Sequence, residues 1–198
     1  MTTSPRWLRS AFYRAFYSMP VRLRVRVVRL FSAKFIVGSV VIVQDSDAPE
    51  PGRLLLLRQP PGVGWSLPAG LMERGERPIE AAARELAEET GIVIDQDDLR
   101  PAVPNAIVHT ANGRWIDMVF EGRVSARDTV LSVDGAEVLE AGWHRLDQLP
   151  PLTRASARLL GHYGIGPLAG FDEARATTAG GPTVRETGED SELPEARL

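Results

Sequence analysis

A chain of 198 residues that is 43% apolar and 25% charged suits one packed, soluble domain with extensions. It has no cysteine, which excludes disulfides, thiol nucleophiles and thiolate zinc sites and fits a reducing cytoplasm. Its three histidines, His109, His144 and His162, show no HExxH or H-x-H spacing, which argues against a histidine-bound zinc enzyme.

The net charge of −3 hides an asymmetry, because residues 1–34 hold Arg6, Arg9, Arg14, Arg22, Arg24, Arg26, Arg29 and Lys34 and no acid. Such a basic leader points to contact with an anionic surface, a membrane or RNA. A solvated extension without a partner and an organellar transit peptide are the competing readings. Its pattern divides. WLRSAFYRAFY is aromatic and basic like an interfacial helix, whereas VRLRVRVV alternates like a strand.

FIVGSVVIV, residues 35–43, is too short to span a bilayer and has no small-residue cleavage site after it. It reads as a β-branched strand, and RLLLLRQ reads as a second one beyond the polar break QDSDAPEPG. QPPGVGWSLPAG is Pro/Gly-rich and reads as irregular chain. A helix over 78–90 follows. PNAIVHT and RWIDMVFEGRV flank Ala111-Asn112-Gly113, and Asn-Gly between alternating runs predicts a hairpin. Ile116, Met118 and Phe120 then share one face of its second strand. AEVLEAGWHRL reads as a further strand, and Thr153 caps a short helix to about Tyr163. Beyond Gly166 the chain is rich in Gly, Thr and Glu, which predicts a disordered acidic tail over 166–198. The layout is therefore a basic extension (1–34), a folded domain (35–165) and a tail. The order of elements predicts the α/β class, a mixed sheet with helices packed on it.

The helix is well specified. Pro78 suits its first position, Glu80 favours its positive end, and Gly91 offers a left-handed stop. Ile79, Ala82, Ala83, Leu86 and Thr90 form its core stripe. Glu85, Glu88 and Glu89 lie off that stripe, within about 100° of one another. Like charges at this spacing cost roughly 0.2–0.5 kcal/mol per pair. One account is an exposed ladder of Glu80, Arg84 and Glu88. It leaves Glu85 and Glu89 without a local base, and a divalent cation accounts for them better, since Mg²⁺ takes hard oxygen ligands.

The surrounding residues decide between these accounts. From Gly70 the chain runs GLMERGERPIEAAARELAEETGI. It has a glycine, five residues, Glu76, seven residues, Arg84-Glu85-Leu86, one residue, Glu88-Glu89, one residue and Gly91-Ile92. This resembles the Nudix box at every fixed position, over residues 70–92. The resemblance implies a Nudix-type α/β/α sandwich with a mixed sheet. It implies Mg²⁺ or Mn²⁺ bound by Glu85, Glu88, Glu89 and the Gly70 carbonyl, with Glu76 as a supporting charge or ligand and Arg84 orienting the glutamates. The activity implied is hydrolysis of a nucleoside diphosphate linked to another moiety, such as ADP-ribose, a nucleotide sugar or an oxidised nucleotide. Water would attack phosphorus while the metal neutralises charge. Within the box Glu85 is the expected general base, with Glu88 and Arg84 beside it in the catalytic set. Glu137 and Glu140 are the distal candidates. Arg58, Trp65, Trp115 and Asp117 are the expected substrate contacts. A nucleotide-sensing domain without turnover and an RNA 5′-end pyrophosphohydrolase using the basic leader are the alternatives. A homodimer in the cytoplasm fits the family's habits.

Overall fold

The computed structural model describes residues 6–109 and 114–170. Two helices open it, α1 (Arg6–Ser18) and α2 (Val21–Phe31). The strands are β1 (Ile36–Asp45), β2 (Arg53–Arg58), β3 (Ala69–Leu71), β4 (Arg100–His109), β5 (Trp115–Val124) and β6 (Glu140–Arg145). Helices α3 (Pro78–Thr90) and α4 (Arg154–Gly161) complete the fold, with one 3-10 turn at Gln96–Asp98.

The six strands form a single mixed sheet in the order β4-β5-β1-β2-β6, with β3 also on β1. β1 is its hub. It pairs in parallel with β5 along its whole length, from Ile36 opposite Trp115 to Asp45 opposite Val124. On its other side β1 meets β3 antiparallel, with Ser39 opposite Gly70, and β2 near Gln44. Residues Gly38 to Val43 of β1 are buried without a break. That suits a central strand covered on both faces, and its β-branched composition fits the pleated backbone.

Helices cover the sheet on both sides. Val40, Ile42, Leu54, Leu56 and Val119 face Leu159 and Leu160 of α4. Val41, Val43, Leu55 and Phe120 face Ala82 and Leu86 of α3. This is the expected α/β/α layering. Local chemistry fixes both helices. Glu80 Oε2 accepts from the Arg77 amide at 2.8 Å, and Gly91 ends α3 in the left-handed region at φ 75°. The Thr153 hydroxyl caps α4 by accepting from Ser156 N at 3.2 Å.

Several expectations need correction. VRLRVRVV is helical, within α2. The Pro/Gly-rich stretch, expected to be irregular, ends in β3. The strand expected over AEVLEAGWHRL begins only at Glu140. The buried set of α3 includes Ala81 and Glu89, both outside the expected stripe. Gly166–Gly170 turns back on α4, where a side chain at Gly161 would meet the Leu168 carbonyl oxygen at 2.7 Å. The expected hairpin turn at 111–113 and the tail beyond Gly170 lie outside the described residues, although β4 and β5 do pair antiparallel, His109 opposite Trp115.

Leu86 is fully buried between α3 and the sheet. Leu86→Ala is expected to lower the unfolding free energy by about 2–5 kcal/mol, read as an earlier midpoint in urea denaturation at unchanged slope.

Candidate active site

Three segments converge on the outer face of α3: the loop leading into β3, the turn before the helix, and the loop before β6. Arg84 stands at the centre. Its Nε donates to Glu76 Oε1 at 2.9 Å and its Nη2 to Glu76 Oε2 at 3.1 Å. Its Nη1 donates to Glu85 Oε1 at 2.8 Å and Glu88 Oε2 at 2.9 Å, and Nη2 also reaches the Leu71 carbonyl at 3.0 Å. One guanidinium thus binds three carboxylates, and these contacts raise its pKa further above its already high value. Glu76 is held below the usual carboxylate range chiefly by that hydrogen bond. The Glu80–Arg84–Glu88 ladder forms only in its second half, because Glu80 pairs with Arg77 instead.

Glu85 lies directly against Gly70. A methyl group at Gly70 would overlap the Glu85 carboxylate, so glycine is needed there for close approach.

Glu89 is only 5% exposed. Its Oε1 accepts from Gln59 Nε2 at 2.7 Å and its Oε2 from the Ala69 amide at 2.9 Å. Burial pushes its pKa up to about 8, and the charges of Glu85 and Glu137 add to that, outweighing the two hydrogen bonds. The side chain expected to face away from the core is therefore walled in by the loop that feeds β3. Gln59 escaped sequence reasoning, because nothing in RLLLLRQ marks its amide as the partner of a glutamate on another element.

The distal carboxylates separate. Glu137 sits in a turn whose Asp134 Oδ1 accepts from the amides of Ala136, Glu137 and Val138 at 3.0 Å each, and its charge is felt at Glu89. Glu140 lies opposite Arg58 across β2 and β6 and pairs with it at 2.6 Å.

The expected substrate contacts fall into two groups. Arg58 lies over the Trp65 ring at 6.0 Å, and Trp65 packs edge-on against His144 at 4.2 Å. Arg58 Nε and His144 Nε2 are buried without a hydrogen-bond partner, and burial lowers the pKa of His144. In the second group Asp117 accepts from Trp115 Nε1 and is 2.8 Å from His109 Nε2. This group borders the box. A methyl group on Gly38 would stand 3.3 Å from the Gly70 carbonyl oxygen, 3.3 Å from the Trp115 ring and 3.4 Å from Asp117 Oδ1. Among the described residues no hydrogen bond or ring contact joins the two groups.

The donor set of Glu85, Glu88, Glu89 and the Gly70 carbonyl is all oxygen, which suits Mg²⁺ or Mn²⁺. Five carboxylates, Glu76, Glu85, Glu88, Glu89 and Glu137, share Arg84 as the base bonded to three of them. Burial first, and then the charges of Glu85 and Glu137, keep the pKa of Glu89 raised. As they stand, no three carboxylate or imidazole groups among the described residues converge closely enough to hold an ion, because Arg84 takes Glu85 and Glu88 while Glu89 turns to Gln59.

The family model described as NUDIX domain matches residues 34–162. The chain belongs to the Nudix family. Mouse (Mus musculus) 8-oxo-dGDP phosphatase NUDT18 is 33% identical over 139 residues, covering 69% of this chain and 38% of that protein. The match thus spans well under half the length of that curated relative. RNA pyrophosphohydrolase of Bartonella clarridgeiae is 34% identical over 104 residues, 44% of this chain and 60% of that protein. Among solved structures, the Nudix domain of Shewanella oneidensis NrtR complexed with ADP ribose superposes with a TM-score of 0.57 at 17% identity, covering 73% of this chain and 97% of that one. That likeness carries the fold. The box of this Nudix domain is β3, the turn after it and α3.

The pKa of Glu89 gives a pH signature. Below its ordinary value of 4.5 the carboxyl is neutral in folded and unfolded chains alike. Between 4.5 and about 8 the folded state keeps a proton that the unfolded chain has released, so stability falls as pH rises through that window. Metal-free protein is expected to lose a few kcal/mol across it, at about 1.4 kcal/mol for each tenfold difference in proton affinity. Glu89→Gln, whose amide can exchange hydrogen bonds with a flipped Gln59, is expected to flatten the slope in a series of thermal melts from pH 5 to pH 9, a range chosen to bracket the raised value of about 8.

Proposed function

We propose that this Nudix domain hydrolyses the pyrophosphate linkage of a nucleoside diphosphate derivative with Mg²⁺ or Mn²⁺. The observation that carries the reading is the surplus of carboxylate charge around Glu89, on the helix of a segment, residues 70–92, that fills every fixed position of the box. Such a face repels pyrophosphate unless a cation intervenes. Glu85, Glu88, Glu89 and the Gly70 carbonyl would hold that cation, with Glu85 and Glu88 released in part from Arg84. Once bound, the cation would neutralise phosphate oxygens and acidify a water.

The chain's own residues have separate tasks. Arg84 sets the directions of Glu85 and Glu88 through its hydrogen bonds to both, and Glu76 fixes Arg84 in turn. Glu85, seated on Gly70, is the proposed general base. Glu137 is the favoured distal alternative, because Glu140 is engaged by Arg58. Trp115, held through Nε1 by Asp117 beside Gly38, offers a rigid ring against which a base can stack. Arg58 and Trp65 form a second contact surface for sugar or phosphate. The names of the relatives support the substrate class. 8-oxo-dGDP is a nucleoside diphosphate and ADP ribose is a derivative of one. The RNA pyrophosphohydrolase likeness adds 5′-triphosphorylated RNA to the compounds worth testing.

A hydrolysis panel of ADP-ribose, nucleotide sugars, dinucleotides, ordinary and oxidised nucleotides and 5′-triphosphorylated RNA tests this, with Mg²⁺ or Mn²⁺ supplied and then chelated. One substrate class is expected to turn over, with kcat falling at least about 100-fold in Glu85→Gln and activity abolished by chelation. Silence across the panel with nucleotide binding retained would sink the hydrolase reading and leave a nucleotide sensor.

A further inference from the structure

The box makes no use of α1 and α2, and among the described residues these two helices carry more than half of the exposed large apolar side chains. Trp7 is 69% exposed, Leu30 77% and Phe31 82%. No residue of α2 is buried. On the α1 wheel Trp7, Leu8, Ala11, Phe12, Ala15 and Phe16 fill one half, while Arg6, Tyr13, Arg14 and Tyr17 fall on the other. Phe12 and Phe16 stack one turn apart, ring centres 6.2 Å apart, as do Tyr13 and Tyr17 at 6.4 Å.

In α2, Arg22, Arg26 and Arg29 share a stripe about 60° wide. Arg24 lies outside that stripe, where its guanidinium sits 5.7 Å from the centre of the Tyr17 ring on α1. The base that interrupts the apolar arc of α2 is thus taken up by its neighbour. In the rest of that arc Val21, Leu23, Val25, Val28, Leu30 and Phe31 are exposed and Val27 is half-buried. Arg6, Arg14, Arg22, Arg24, Arg26 and Arg29 enter no salt bridge among the described residues.

We propose that α1 and α2 dock the protein on an anionic lipid surface, with the apolar arcs entering the interface and the arginines meeting lipid phosphates. Two physical arguments choose lipid over nucleic acid. RNA phosphates are satisfied by arginine alone and give no use to a continuous arc of Leu, Phe and Val, whereas an interfacial helix needs both faces. Helices of thirteen and eleven residues are also marginal in water, more so with the four β-branched valines of α2. An apolar surface completes them. Among the described residues no helix is long and apolar enough to cross a membrane, so the docking is in the plane of the interface. Trp7, at the border of the apolar half of α1, is a side chain that favours such a boundary.

Flotation of the full chain with vesicles tests this, comparing phosphatidylcholine alone with phosphatidylcholine mixed with phosphatidylglycerol. The protein is expected to float with the anionic vesicles, gaining helical circular dichroism, and to stay behind with the neutral ones. Replacing Arg22, Arg26 and Arg29 together by glutamine is expected to weaken partitioning about 100-fold. Phe12→Ser leaves the charge unchanged and is expected to weaken it about 10-fold. The main thermal transition of both variants should match that of the parent, since Phe12, Arg22, Arg26 and Arg29 are all exposed. Equal partition onto neutral and anionic vesicles would overturn the proposal. So would anionic binding indifferent to Phe12→Ser, or retention by single-stranded RNA without flotation.

Discussion

The site depends on one imbalance, a single guanidinium set among five carboxylates. Arg84 can satisfy Glu76, Glu85 and Glu88 because these approach it from the turn before α3 and from the helix itself. Glu89 lies beyond its reach and is buried instead, in a cleft where two neutral donors meet it and two like charges press on it. A buried carboxylate with a raised pKa costs stability in its ionised form. The fold tolerates this on the helix that bears the box, where a cation would remove the cost.

The frame around that imbalance is the crowded backbone at the start of β1. Ser39 lies opposite Gly70, and Gly38 lies opposite Leu71 on one side and Asp117 on the other. The Ser39 hydroxyl donates to the Pro78 carbonyl at 2.8 Å, which pins the first turn of α3 to the same strand. Strand β1 thus sets the positions of the helix carrying the glutamates, the glycine beneath Glu85 and the aromatic group that would greet a base.

Much of this was legible from local chemistry. Pro78 and Gly91 bound α3, Thr153 marks the start of α4, and the box spacing carries the family resemblance without reference to any contact. What stayed hidden was non-local. Glu89 is buried by Gln59 and Ala69, 30 and 20 residues away along the chain, and no helical wheel can register a loop folding over it. The three residues of β3 sit in a Pro/Gly-rich stretch and become a strand only through β1. Helix α2 was obscured for another reason. Arg22, Arg24 and Arg26 give a period of two, and only the partnership of Arg24 with Tyr17 shows that the stripe of Arg22, Arg26 and Arg29 is the one that matters.

The parallel pairing of β1 with β5 has a bearing on how the chain reaches this state. Ile36 cannot find Trp115 until most of the domain has been synthesised, and loop closure over that separation is slow compared with local hairpins and helices. Meanwhile FIVGSVVIV is an uncovered apolar strand, open to pairing with another copy of itself. The element that anchors the finished site is therefore also an aggregation-prone segment of the nascent chain, and early partners for it, β2 and β3, are the ones supplied soonest in sequence.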